Sequence, residues 1–279
     1  MVQLLRNAGS EITLVTPGPP TLLQKALVWS GNLFFRFRNA LFPLLFISLA
    51  LFTRPSFFLG RHDLDSIVVW VGVLTAVTGQ CFRLFVIGFA YIKRGGKDGR
   101  VHADQLVTQG VYAHTRNPMY AGNVLIAVGL GLAYGSPWVY FFVIPFFAFV
   151  YLSIVVAEET YLCARFGKIY EDYAGRVNRF WPNFRGMEES LKKFKYDWKR
   201  AVRKEYGTFF GTLLGIVVIP LWKLYYLYGF SEKKNAILTL AALIPPGFCL
   251  YLLVRFLKLS GRLASPKPPL NIKEPSLPS

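Results

Sequence analysis

Cysteine and histidine are scarce in this sequence, and that scarcity excludes two classes of architecture. Cys81, Cys163 and Cys249 are scattered, no pair has metal-ligand spacing, and two of them fall in apolar runs, so a disulfide framework is not expected. His62, His102 and His114 are dispersed as well, which leaves a zinc site without support and no metal is expected. Acidic residues are also few, 15 Asp and Glu against 32 Lys and Arg, for a formal charge of +17. The first 30 residues contain the Pro17–Pro20 cluster and no compact apolar segment followed by a small-residue cleavage site, so no cleavable signal peptide is expected.

Apolar residues are abundant instead. They make up 53% of the 279 residues, with 25 Phe and 15 Tyr among them, the aromatic enrichment expected where rings pack in lipid and sit at its interfaces. Runs approaching 20 residues match the ~30 Å hydrocarbon core of a bilayer. The chain is therefore expected to be an all-α, polytopic helical membrane protein. Six spans are expected, at about Ala40–Phe52, Ile67–Ile92, Tyr120–Tyr134, Trp138–Ala157, Phe209–Tyr228 and Ala236–Leu257. With so much apolar sequence, the positive charge points to an anionic membrane face and not to nucleic acid.

Charge then orients the spans. Lys93, Arg94, Lys97, Arg100 and Arg116 lie between spans two and three, and twelve Lys or Arg lie between spans four and five. The intervening turns hold few or none. The positive-inside rule puts both large loops, and hence both termini, in the cytosol, at the plasma (inner) membrane for a bacterial chain. Within span two, Gln80 and Arg83 are costly in lipid, which suits either a functional interior or snorkelling of Arg83 toward headgroups. Between Arg185 and Tyr206, Leu191, Phe194, Trp198 and Val202 recur at helical spacing among lysines and arginines, predicting a basic amphipathic helix on anionic lipid. The resulting division is a cytosolic segment 1–32, a core 33–184, the basic helix 185–206, two further spans in 207–262, and a Pro/Ser-rich disordered tail 263–279.

Two loop segments carry the chemical signal. In Leu106–Gly122, Gly110 permits an unusual backbone angle and Pro118 suits a first helical turn. Free N–H groups at that helix start, with Arg116 beside them, favour a carboxylate. In Glu158–Phe184, Glu158 and Glu159 fall where span four leaves the membrane. Acids at a helix C-terminus oppose the macrodipole, which calls for an offsetting charge. Tyr170 and Tyr173 follow at helical spacing, with Arg179 beyond.

This combination resembles the superfamily of isoprenylcysteine carboxyl methyltransferases and phosphatidylethanolamine (phospholipid) N-methyltransferases. The matching positions are Gly110 and Tyr112, then Arg116, Pro118, Tyr120 and Gly122. After two tightly linked spans come Glu158, Glu159, Leu162, Phe166, Gly167, Tyr170, Tyr173 and Pro182. The resemblance covers about Gly72–Phe184. It implies an S-adenosylmethionine pocket lined by Gln105, Leu106, Val107, Tyr112, Arg116, Asn117, Pro118, Met119, Tyr120 and Glu158. Three positions depart from the named branches. The family His is Asn117 here, as in the phospholipid branch. The substrate-binding Arg of the prenylcysteine enzymes is Ile154. The Gly-x-Gly of the phospholipid enzymes reads Gly79-Gln80-Cys81.

The implied reaction is direct displacement of a methyl group onto a lipophilic acceptor, a phospholipid headgroup amine or a lipid-linked carboxylate, entering from the bilayer: a lipid modification. Glu159 or a tyrosine would take a proton from an amine acceptor, and Arg179 or Arg83 would bind an anionic headgroup. The alternatives are a membrane reductase using NADPH, whose phosphates the two glutamates would repel, and a non-catalytic lipid-surface protein working through Arg185–Tyr206.

Overall fold

The computed structural model describes residues 21–89, 103, 105–192 and 194–264, apart from the side chains of 39–43, 46 and 50. The Pro17–Pro20 cluster, Lys93, Arg94, Lys97, Arg100, His102, Lys193 and the tail from 265 lie outside the described residues. The protein is an all-α polytopic membrane protein. Its helices are α1 (Leu22–Phe52), α2 (His62–Phe89), α3 (Pro118–Tyr134), α4 (Ile144–Phe166), α5 (Lys168–Arg176), α6 (Met187–Lys192), α7 (Trp198–Glu232), α8 (Lys234–Ala242) and α9 (Ile244–Leu259). Among the described residues, four stretches are long and apolar enough to cross a bilayer: α2, Val139–Phe166, α7, and α8 with α9. The shorter α3 is apolar apart from Asn123 and about 26 Å long.

Local sequence sets the ends of these helices. Thr21 and Gln24 form a reciprocal capping box at the start of α1. Pro118 opens α3, and Gly135 closes it at φ +73°, a left-handed angle that favours glycine. Most of the Leu and Phe of α9 stay exposed and none of its residues is buried, as suits a helix facing hydrocarbon.

The central seam joins α2 to α3. A Cβ on Gly72 would lie 2.6 Å from the Gly129 carbonyl oxygen, and one on Gly79 would lie 2.7 Å from the Gly122 carbonyl oxygen. Only glycine lets the two backbones approach so closely, and in lipid such packing substitutes for a hydrophobic driving force. Outside this pair, α1 packs on α4 and α7 packs on α2 and α3.

Polar side chains fix the register of α7 on α2. Arg83 donates from Nε and Nη2 to both carboxylate oxygens of Glu205, at 2.8 and 2.7 Å, with both residues buried. Thr212 donates to Gln80 at 3.0 Å. At the opposite end, the Lys223 ammonium meets Asp65 at 2.6 Å, again buried. Arg83 therefore neither snorkels nor stands alone. It is half of an interhelical pair whose other half lies in the extra C-terminal region.

The predicted basic helix Arg185–Tyr206 is two pieces. It breaks after α6, and Trp198 begins the long α7. Two of its apolar side chains are spent on protein, while Trp198 stays exposed. Leu191 packs against Val86, Val111 and Tyr112, and the Phe194 ring lies against Gly110. Arg200 turns inward, donating to the carbonyls of Ile87 and Gly88 at the end of α2. The expected end of span four is also displaced: α4 runs on to Phe166, so Glu158 and Glu159 lie inside the helix. The macrodipole argument does not apply to them, and their partners account for them instead.

Candidate active site

The segment before α3 is folded against the segment after α5. The backbone N–H of Arg116 donates to the Asn178 carbonyl at 2.9 Å, and that of Asn117 to the Arg179 carbonyl at 3.2 Å. Thr115 donates to Phe180, Asn183 N–H donates to the His114 carbonyl, and the His114 ring bridges Asn183 O and Ser190 Oγ. The Tyr173 hydroxyl donates to the Tyr112 carbonyl at 2.7 Å. Gly110, at φ +62°, turns the chain into the short helical turn that carries Tyr112. The two motif-bearing loops are thus one structure.

This structure gives the two glutamates different surroundings. Glu159 is 8% exposed. It accepts from Asn117 Nδ2 at 2.9 Å and from Arg179 Nε at 3.0 Å, and Arg179 Nη2 lies at 2.8 Å. Arg116 Nε lies 3.6 Å from it, too far for a hydrogen bond. Glu158, one residue earlier, accepts from the Tyr120 hydroxyl at 2.7 Å.

A cavity of about 1110 Å³ opens beside Glu158. At one end, here called the mouth, the wall carries Tyr112, Arg116, Asn117, Tyr120 and Glu158. Away from that end, α1, α3, α4 and α7 supply Leu49, Leu130, Phe147 and Val218, and it reaches Tyr134 and Trp222 at the other end. From Gly207 to Trp222, α7 lines it over about 22 Å, more than the ~15 Å of one hydrocarbon leaflet. One space therefore joins a charged mouth to an apolar shaft.

Of the residues expected around a cofactor, Tyr112, Arg116, Asn117, Met119, Tyr120 and Glu158 line this cavity. Gln105, Leu106, Val107 and Pro118 do not. Leu106 packs beside Leu162, Tyr170 and Tyr173, and Val107 beside Val86 and Val111. Glu159 and Arg179, expected to carry catalysis, stand behind the wall and hold the loop. The helix-start N–H groups are largely used: besides Arg116 and Asn117, Tyr120 and Ala121 donate to the Asn117 carbonyl. An anion at the mouth would meet the Arg116 guanidinium, which lines the cavity while its Nε is turned toward Glu159.

The sequence marked Arg38 only as one of the basic residues near span one and did not single out Asn123, Tyr151 or the α7 face Gly207, Thr208, Gly211 and Gly215, all of which line the cavity. The glycines at four-residue spacing were the available signal for that face.

Residues 67–169 match the family model of phospholipid methyltransferases. Comparison with curated proteins and with solved structures gives no match. The match takes in most of α2, all of α3 and α4 and the seam between α2 and α3, and it stops short of α7. Over 67–169, a little more than a third of the chain, the protein is thus similar to the phospholipid methyltransferase family, in the wider group of integral membrane methyltransferases that the motifs resemble.

Proposed function

We propose that the protein is an S-adenosylmethionine-dependent membrane methyltransferase acting on a lipophilic acceptor. The observation that carries this reading is the continuity of the cavity, with cation and carboxylate at the mouth and hydrocarbon-like walls below. A membrane reductase or a lipid-surface protein has no comparable support.

The residues fit the cofactor's charges. Arg116 lines the cavity with a fixed positive charge, which suits the amino-acid carboxylate. Glu158, ordered by Tyr120, suits the ammonium and offsets the sulfonium charge, and the rings of Tyr112 and Tyr120 suit a cation. Bound S-adenosylmethionine supplies an electrophilic methyl group. The chain's contribution is to align an acceptor and exclude water, an effect that can reach about 7–11 kcal/mol. Asn117, Glu159 and Arg179 act as positioning residues, because together they hold the loop bearing Arg116 against α4. The apolar shaft admits a lipophilic acceptor from the bilayer. On this reading the chain makes six spans, and the cavity mouth and both termini face the cytosol, since the loops at that end carry most of the basic residues.

The test is equilibrium binding of S-adenosylmethionine to the purified full chain in detergent. Saturable binding is expected, reduced at least tenfold by Glu158→Gln with unchanged thermal stability. Absence of saturable binding to the unaltered protein refutes the reading.

A further inference from the structure

The cavity wall has a middle level between the cofactor residues and the apolar shaft. Asn123 on α3, one turn below Tyr120, accepts from Arg83 and is hydrogen-bonded to Tyr151 on α4. Arg38 on α1 joins this level. Its guanidinium lies over the Phe35 ring, 4.2 Å from the centroid, and Phe35 packs against Tyr151 and Ile154. Ile154 is one helical turn, about 5 Å, below Glu158. Side chains on a helix lean toward its N-terminus, and α1 begins at the Glu158 end, so the head of Arg38 is raised toward the mouth.

The charges at this level are unequal. Both carboxylate oxygens of Glu205 engage Arg83. Arg38 contacts an aromatic ring but meets no carboxylate and no hydrogen-bond acceptor among the described residues. Unlike Arg36, which lies over Phe37 and is exposed, it lines the cavity. A cation held at this depth in a low-dielectric wall favours an anion beside it. Below it the walls are mostly apolar, and a Cβ added on α7 at Gly207, near this level, or at Gly211, one turn on, would meet nothing within 4 Å. That open face has room for a hydrocarbon chain.

We propose that Arg38 anchors an acidic group, phosphate or carboxylate, on the methyl acceptor. The acceptor is then an anionic amphiphile whose chain descends along the glycine face of α7. Its acid sits one turn below the cofactor residues, which leaves the group to be methylated near the mouth. Arg38 and α7 both lie outside the matched stretch 67–169, so this specificity belongs to the parts added around the core. The proposal rests on the methyltransferase reading for its meaning, but the binding it predicts is measurable separately.

The full chain in phosphatidylcholine nanodiscs is titrated with radiolabelled hexadecyl phosphate, hexadecanoate and hexadecanol, with empty discs subtracted. At least one acid is expected to bind tenfold or more tightly than the alcohol, and the acid with the larger advantage identifies the group. Arg38→Gln should cost roughly ten- to hundredfold of that acid's affinity, the size expected for a lost charge-assisted hydrogen bond. It should leave hexadecanol unchanged, and Arg38→Lys should restore most of the loss. Arg36→Gln, on the exposed side of the same helix, should have no effect. Equal binding of the alcohol and both acids overturns the proposal, as does an Arg36→Gln effect as large as that of Arg38→Gln. S-adenosylmethionine binding in the same discs separates the two readings: its absence removes the methyltransferase assignment and leaves an Arg38-dependent result standing.

Discussion

Glu205→Leu should unfasten α7 from the core, and Arg83→Met should do the same. Glu205 is 2% exposed and takes two hydrogen bonds from Arg83, which itself is buried. Removing one partner of a buried pair leaves an uncompensated charge, which typically costs about 3–5 kcal/mol. Removing both in favour of apolar side chains of similar volume is often neutral. Arg83→Met with Glu205→Leu should therefore recover most of the stability that either single change loses. The four proteins would be unfolded by titrating dodecyl sulfate into mixed micelles, following tryptophan fluorescence, which Trp198 and Trp222 on α7 report. A coupling of at least ~2 kcal/mol is expected from the double-mutant cycle. A single-mutant cost below ~1 kcal/mol, or a double mutant as unstable as the sum of the singles, would refute the claim that this pair fixes the helix.

Further outcomes follow from the same geometry. Lys223→Met leaves Asp65 buried without its ammonium, so the same titration should show a loss of about 3 kcal/mol, partly recovered by adding Asp65→Asn. Gly129→Leu should prevent folding, since its Cβ would lie 2.4 Å from the Gly72 carbonyl oxygen; size-exclusion chromatography should show aggregate. Gly211→Leu has open space around its Cβ and should keep stability within ~1 kcal/mol while lowering hexadecyl phosphate affinity several-fold. Wild-type affinity in that variant would mean the α7 face is not used.

Much of the fold was legible because a bilayer constrains sequence strongly. The spans corresponding to α2, α3 and α4 could be located because backbone groups in lipid must be satisfied within helices, which demands long apolar runs. Gly110 and Pro118 announced their turn and helix start because their backbone restrictions are intrinsic to the residue. Arg185–Tyr206 read as one surface helix because its apolar spacing is helical. Spacing does not say whether Leu191 and Phe194 meet lipid or protein, and the loop around Val111 competed successfully for them.

The sequence by itself determined that the chain is a helical membrane protein. It also marked the residues that meet at one mouth, since Arg116, Asn117, Tyr120 and Glu158 lie in two recognisable segments. Only the tertiary structure decided how the adjacent glutamates divide. A rotation of about 100° per residue sends Glu158 toward the cavity and Glu159 into the grip of Asn117 and Arg179. It also decided that Arg83 is answered by Glu205, distant in sequence, while Arg38 is answered by no carboxylate among the described residues. Charge balance in a membrane interior depends on which helices meet, and the packing of α7 on α2 and of α1 on α4 is something no local pattern encodes.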